Sequence, residues 1–278
     1  MDYFEQWASA EKSGRGLSKS SRTVYASMWG KLIRYLTDNA STAETCTSSL
    51  LQQFLLTLES PASALRYARL IERVLVARSP NPAEHLSRQI ARPKRPLPAA
   101  PGRAQIEALF QSPPDTWLEL RDQALVATAI GSGAKPGELA QLRVTDLRVD
   151  EAPPHFLVTS HTGQARAVPL APIAREPLRA WLAARSQLDP GDGTVFCTNK
   201  GTALSPSALW RAHARTCANA GIRLAHVGGQ AMRNAFALRQ LQHGKPAPVV
   251  RDWLGHKQLE STLRYKRLIV NPEGIEAD

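Results

Sequence analysis

The chain has 278 residues, 43% of them apolar, with 35 Lys and Arg against 24 Asp and Glu and a net charge of +11. This is enough chain for two domains with buried cores, and the apolar share excludes wholesale disorder. Three widely spaced cysteines (Cys46, Cys197, Cys217) exclude a disulfide scaffold and a cysteine-ligated zinc site, no apolar run reaches the roughly 20 residues of a membrane span, and the opening MDYFEQWASAEK is too acidic and polar for a secretion signal. The expectation is a soluble, cytoplasmic, basic two-domain protein.

Residues 1–103 carry +7 and residues 104–278 carry +4. Each Lys or Arg placed on a phosphate releases condensed counterions, so such a chain is expected to bind polyanions, more weakly as salt rises. Helical spacing of apolar residues predicts three helices in the first part: Thr23–Leu36 (Tyr25, Trp29, Leu32, Ile33, Leu36), Ser49–Leu58 (Leu50, Leu51, Phe54, Leu55, Leu58) and Ala64–Ala77 (Tyr67, Leu70, Ile71, Val74, Leu75). Ser18, Ser20 and Ser21 are N-cap candidates for the first. Arg66, Arg69 and Arg73 share the polar face of the third, which taken alone is usually just a solvated face.

Residues 90–102, IARPKRPLPAAPG, hold four prolines and predict an extended strap between the domains. Its Arg92, Lys94 and Arg95 suit a phosphate backbone, or serve only solubility. The boundaries expected are thus 1–89, 90–103 and 104–278. Helices are predicted at Ala104–Gln111 and Trp117–Ile130, then a turn GSGAKPGEL and a short helix from Glu138. Phe156–Thr159 and Arg166–Leu170 read as strands around the turn HTGQ, and Val195–Cys197 as a third strand before a turn at Asn199–Gly201. Helices follow at Ile173–Ser186, Ser207–Ala220, Gln230–Gln242 and Val249–Leu254, and a last one carries Tyr265.

The C-terminal segments QAMRNAFALRQLQHG and VVRDWLGHKQLESTLRYKRL resemble the tyrosine recombinase (phage integrase) family. That family pairs a His-x-x-Arg helix start with a Leu-Gly-His turn and a tyrosine nine residues after that His. Here Arg233, Leu254-Gly255-His256 and Tyr265 fit at those spacings. Upstream, Ser132-Gly133-Ala134-Lys135-Pro136-Gly137-Glu138-Leu139 is similar to the family's Thr-Gly-x-Arg-x-x-Glu-Leu, and SHTGQARAVPL to its lysine turn and basic strand ending Val-Pro-Leu. The resemblance implies a mainly α fold with a small antiparallel sheet: an N-terminal helical core-binding domain and a mixed α/β catalytic domain forming a clamp on DNA.

It also implies a chemistry. The tyrosine attacks a phosphodiester, forms a 3′-phosphotyrosine link and frees a 5′-hydroxyl, with no metal and no cofactor. An ordinary phenol is only about 0.1% ionised at pH 7, so cationic neighbours must favour the anion. Arginine forks match the non-bridging oxygens of the transition state, and a general acid protonates the leaving oxygen. By position, Tyr265 is the nucleophile, Arg233 the second arginine and His256 the phosphate-bonding histidine. Lys135 stands where the first arginine would be and keeps the charge without the fork. Gln230 replaces the His of His-x-x-Arg. His161 best matches the general-acid lysine, with Lys200 as a weaker substitute, and His226, four residues before Gln230, is placed to lean into the site. Arg66, Arg69, Arg73, Arg92, Lys94, Arg95 and Lys200 are the expected DNA contacts, and Glu138 is expected to be a first-turn structural carboxylate.

The partners implied are double-stranded DNA, further copies of the chain (dimer to tetramer) on DNA, and accessory DNA-bending proteins, with no membrane. The three substitutions keep a second expectation open: a recombinase fold that binds DNA as a regulator or architectural factor without cleaving it. Removing one preorganised donor costs about 10²–10³ in rate, or roughly 3–4 kcal/mol.

Overall fold

The computed structural model describes residues 3–10, 17, 19–91, 99–159, 163–188, 193–222 and 228–270. The chain divides into two compact units, Met1–Arg95 and Pro96–Asp278. The first is built from helices α1 (Tyr3–Ala10), α2 (Lys19–Asp38), α3 (Ser48–Leu56) and α4 (Pro61–Val74). Their apolar stripes meet in one core of Phe4 and Trp7, Trp29, Leu32 and Leu36, Leu51 and Phe54, and Ile71 and Val74. Phe54 sits between Tyr35 and Tyr67, with ring centroids 5.2 and 5.4 Å away. Burial of such a side chain contributes about 2–3 kcal/mol. Thr47 and Ser60 cap α3 and α4 by accepting the Leu50 and Ser63 amides, and Pro61 supplies the first-turn φ of α4.

The second unit is organised around α6 (Trp117–Ser132), which is buried on almost every side from Ala124 to Ser132. A helix apolar all round has to lie inside a domain. Helices α8 (Pro172–Arg185), α9 (Pro206–Asn219) and α10 (Gly229–Gln242) pack on it. α6 opens with a capping box: Thr116 accepts the Glu119 amide, and the Glu119 carboxylate accepts the Thr116 amide. Helices α5 (Arg103–Ala108), α7 (Pro136–Gln141), α11 (Ala247–Leu254) and α12 (Glu260–Val270) complete the helical part. Strands β1 (Leu147–Arg148), β2 (His155–Thr159) and β3 (Ala165–Pro169) form an antiparallel sheet in sequence order. The register pairs Phe156 with Val168, both fully buried, so one face of the hairpin closes the core.

Four features depart from the sequence reading. The strand expected at Val195–Cys197 is not part of this sheet. Cys197 makes an isolated antiparallel bridge to Ala203, and the segment's carbonyls go to side chains: Val195 O accepts Trp181 Nε1 at 2.7 Å and Cys197 O accepts Arg121 at 2.9 Å. The third strand is Leu147–Arg148, and α1 was not anticipated. The helix expected at Ala64–Ala77 starts at Pro61 as α4 and gives way to a 3₁₀ turn at Leu75–Ala77. The expected strap is described only at its two ends, because residues 92–98 lie outside the described set. Among the described residues no helix is long and apolar enough to cross a membrane.

Candidate active site

Two glycines position the site. Gly133 ends α6 and Gly255 ends α11, both in the left-handed region at φ 66° and 64°. A Cβ at Gly133 would fall 2.4 Å from Phe236, and one at Gly255 3.0 Å from the Arg166 guanidinium. Only glycine fits either place without displacing those groups.

The two helix ends leave carbonyls without intrahelical donors, and arginines take them. Arg233, buried on α10, donates from its two terminal nitrogens to Gly133 O at 2.7 Å and Leu254 O at 2.6 Å. Its cation therefore sits at the negative ends of α6 and α11. Arg166 of β3 donates from Nε to Trp253 O at 3.2 Å and from its fork to Glu138 Oε2 at 2.8 Å. The same Glu138 oxygen accepts the Lys135 amide at 2.7 Å, closing the first turn of α7. Lys135 Nζ lies 3.7 Å from the other carboxylate oxygen, on a half-exposed side chain. Burial pushes the Glu138 carboxyl up, but the Arg166 fork, the Lys135 amide and the two cations outweigh it and hold the group below the usual range.

His256 follows Gly255, and its Nδ1 meets the buried Thr262 hydroxyl at 2.8 Å. Burial, reinforced by the charges of Arg233, Lys135 and Arg166, pushes the ring down to about 4, so it is neutral at pH 7. The ring lies parallel to Tyr265, with centroids 6.4 Å apart and planes within 6°. Tyr265 is 4% exposed on α12. Its hydroxyl donates to Asn234 Oδ1 at 2.8 Å, and Gln230 Nε2 donates to the same oxygen at 2.9 Å. Burial pushes the phenol above its ordinary value, against the pull of Arg233 and Arg264.

The structure thus brings together Tyr265, Arg233, His256 and Lys135, and it links Gln230 to the phenol through Asn234. Sequence reasoning missed Asn234, Thr262 and Arg166. The sequence signal for Arg166 was only an arginine inside the strand before Val168-Pro169-Leu170, and Asn234 was visible only as the neighbour of Arg233. His161 and His226 lie outside the described residues, as do Arg92, Lys94 and Arg95. Lys200 is exposed in the turn closed by Thr198 and Thr202, with no hydrogen bond or ion pair to the site among the described residues. In the first unit, Arg66, Arg69 and Arg73 are exposed and line a 290 Å³ pocket with Tyr25. Arg73 also rests over the Trp7 ring at 4.9 Å. No cluster of metal-ligating side chains occurs among the described residues.

Known proteins share this arrangement of chain. Tyrosine recombinase XerD of Vibrio cholerae is 27% identical over 263 residues, covering 90% of this chain and 86% of that protein. Tyrosine recombinase XerC of Azotobacter vinelandii is 33% identical over 156 residues, covering 55% of this chain and half of that protein. Among solved structures, the XerH site-specific recombinase on a palindromic difH substrate, in a post-cleavage complex, superposes with a TM-score of 0.77 at 19% identity, over 95% of this chain and 81% of that one. A lambda integrase dimer bound to a COC′ core site gives 0.69 at 18% identity, over 99% and 96% of the two chains. At these identities the structures establish the fold. The sequence profile of the phage integrase family matches residues 103–271, and the chain belongs to that family.

Proposed function

We propose that the chain is a tyrosine-type site-specific recombinase that cleaves and rejoins double-stranded DNA through Tyr265. The observation that carries this reading is the convergence of the Tyr265 phenol, the Arg233 cation and the His256 ring from α12, α10 and the turn after α11. In the reaction, Tyr265 Oη attacks phosphorus, a 3′-phosphotyrosine bond forms and the P–O5′ bond breaks. Attack by a 5′-hydroxyl reverses the step and rejoins the strand, so the ester bond energy is conserved throughout.

Arg233 and Lys135 balance charge on the non-bridging oxygens, and neutral His256 offers a ring N–H to one of them. His161 takes the general acid's place. Arg66 and Arg69 contact phosphates from the N-terminal unit, with Arg73, Arg92, Lys94, Arg95 and Lys200 as further contacts. Relatives solved on DNA include a dimer, which supports an oligomer on paired sites. The place proposed for it is the cytoplasm.

A second reading rests on Lys135, on Gln230 and on the phenol's bond to Asn234: a DNA-binding factor that does not cut. A suicide substrate nicked beside the cleavage site separates the two. Covalent protein–DNA adduct that is lost in Tyr265→Phe supports the recombinase. Tight binding without adduct from pH 6 to pH 9 supports the factor.

A further inference from the structure

Asn234 has no part in the chemistry above, yet it is the phenol's hydrogen-bond partner. It follows Arg233 on α10 and is 5% exposed. Its surroundings fix which way the amide points. Nδ2 donates to the Ala99 carbonyl at 2.7 Å, and turning the amide over would set two acceptor oxygens against each other. Oδ1 must therefore face Tyr265 Oη and the Gln230 amide. An amide oxygen accepts hydrogen bonds but does not take up a proton at neutral pH. The Tyr265 hydroxyl is then obliged to be the donor, and this bond exists only while the phenol is neutral.

We propose that Asn234 is a positioning residue that holds Tyr265 protonated inside the domain, and that cleavage begins when the hydroxyl passes from Asn234 Oδ1 to the scissile phosphate. This rests on the reading of Tyr265 as nucleophile. The attack exchanges one phosphate ester for another: the phenol's O–P bond forms as P–O5′ breaks, and the proton lost by the phenol is matched by the one gained at the departing 5′ oxygen. The groups facing the phenol are Arg233 from α10, Arg264 from its own helix and His256 from the turn after α11. Glu138 and Arg166 act on Arg233. The cations favour the phenolate; burial and the Asn234 bond favour the phenol. Asn234 thus sets a threshold that DNA has to overcome, and Gln230, donating to the same oxygen, helps fix the way the amide faces.

The test reads the phenol directly. With tyrosine labelled at the ring carbon bearing the hydroxyl, NMR titration follows each of the five tyrosines, and Tyr265→Phe assigns the signal of interest. The wild type should titrate above the ordinary value of about 10, Asn234→Ala about one unit lower than wild type, and Asn234→Asp higher than wild type. Asn234→Ser keeps a small polar group and serves if the alanine variant does not fold. On nicked DNA at pH 7.5, Asn234→Ala should form adduct about 3–10-fold faster than wild type, and Asn234→Asp at least 10-fold slower. A Tyr265 midpoint that stays put in the alanine, serine and aspartate variants overturns the role of Asn234, as does an adduct rate that falls in the alanine variant. A shifted midpoint with no adduct from any of the proteins, wild type included, overturns the recombinase reading instead.

Discussion

Replacing Arg233 with alanine should cost the second unit far more than the loss of a surface arginine. The side chain is 2% exposed and its two terminal nitrogens occupy Gly133 O and Leu254 O, the carbonyls left over where α6 and α11 end. Removing it strands both acceptors and takes a cation from two helix C-termini. A hydrogen bond to a charged group contributes about 1.5–3 kcal/mol and a charge at a helix end about 0.3–1 kcal/mol. The contributions overlap, so the expected loss is about 3–5 kcal/mol. Arg233→Lys keeps the charge but replaces a fork spanning two carbonyls with a single ammonium, and should lose about half as much. The assay is urea unfolding followed by hydrogen exchange and mass spectrometry, so that residues 103–270 are read apart from residues 3–91 and no single two-state transition is assumed. Protection of the first unit should not change. A loss below about 1 kcal/mol for the alanine variant would refute the claim that Arg233 closes both helices. The same reasoning means that inactivity of Arg233→Ala alone says little about the phosphate; the lysine variant, measured against its own stability, is the informative one.

Three further outcomes follow from the structure. His256 is held down to about 4, while an unfolded histidine titrates near 6.5, so the unfolded chain binds the extra proton first. Its contribution to stability is fully present above about pH 6.5 and falls as pH drops from there toward 4, by at most about 3 kcal/mol. The difference in stability between wild type and His256→Gln should track that window; parallel curves would contradict it. Lys135→Arg with Gln230→His should raise adduct formation on nicked DNA by about tenfold or more, by restoring a fork and a titratable donor; no gain means that these positions do not reach the phosphate. Arg66→Ala with Arg69→Ala should lower the slope of log affinity against log salt by about 1.8 for two lost phosphate contacts, and an unchanged slope means that this face of α4 does not touch DNA.

The amphipathic helices were legible because apolar spacing alone sets the buried face: Leu32, Leu36, Leu51, Phe54, Ile71 and Val74 all lie in the first core, as their spacing requires. Val195–Cys197 misled for the converse reason. An apolar run signals burial, but it does not say whether its carbonyls pair with a strand or with Trp181 and Arg121, which lie 14 and 76 residues away. The site divides in the same way. Arg233, His256 and Tyr265 were visible through their resemblance to the recombinase family's spaced pattern. Thr262 is six residues from His256, Asn234 is 31 from Tyr265, and Arg166 is 28 from Glu138. Their roles exist only once α6, α10, α11, α12 and β3 have packed. What sequence resemblance supplies is a set of candidate reacting groups; the bonds that restrain them come from the tertiary structure.

The most direct measurement is the identity of the residue that carries DNA. After reaction with a nicked substrate, nuclease digestion followed by protease digestion and mass spectrometry should find a nucleotide 3′-phosphate on the peptide containing Tyr265 and on no other. A nucleotide attached to a different side chain, or tightly bound DNA with every tyrosine unmodified, would contradict the account.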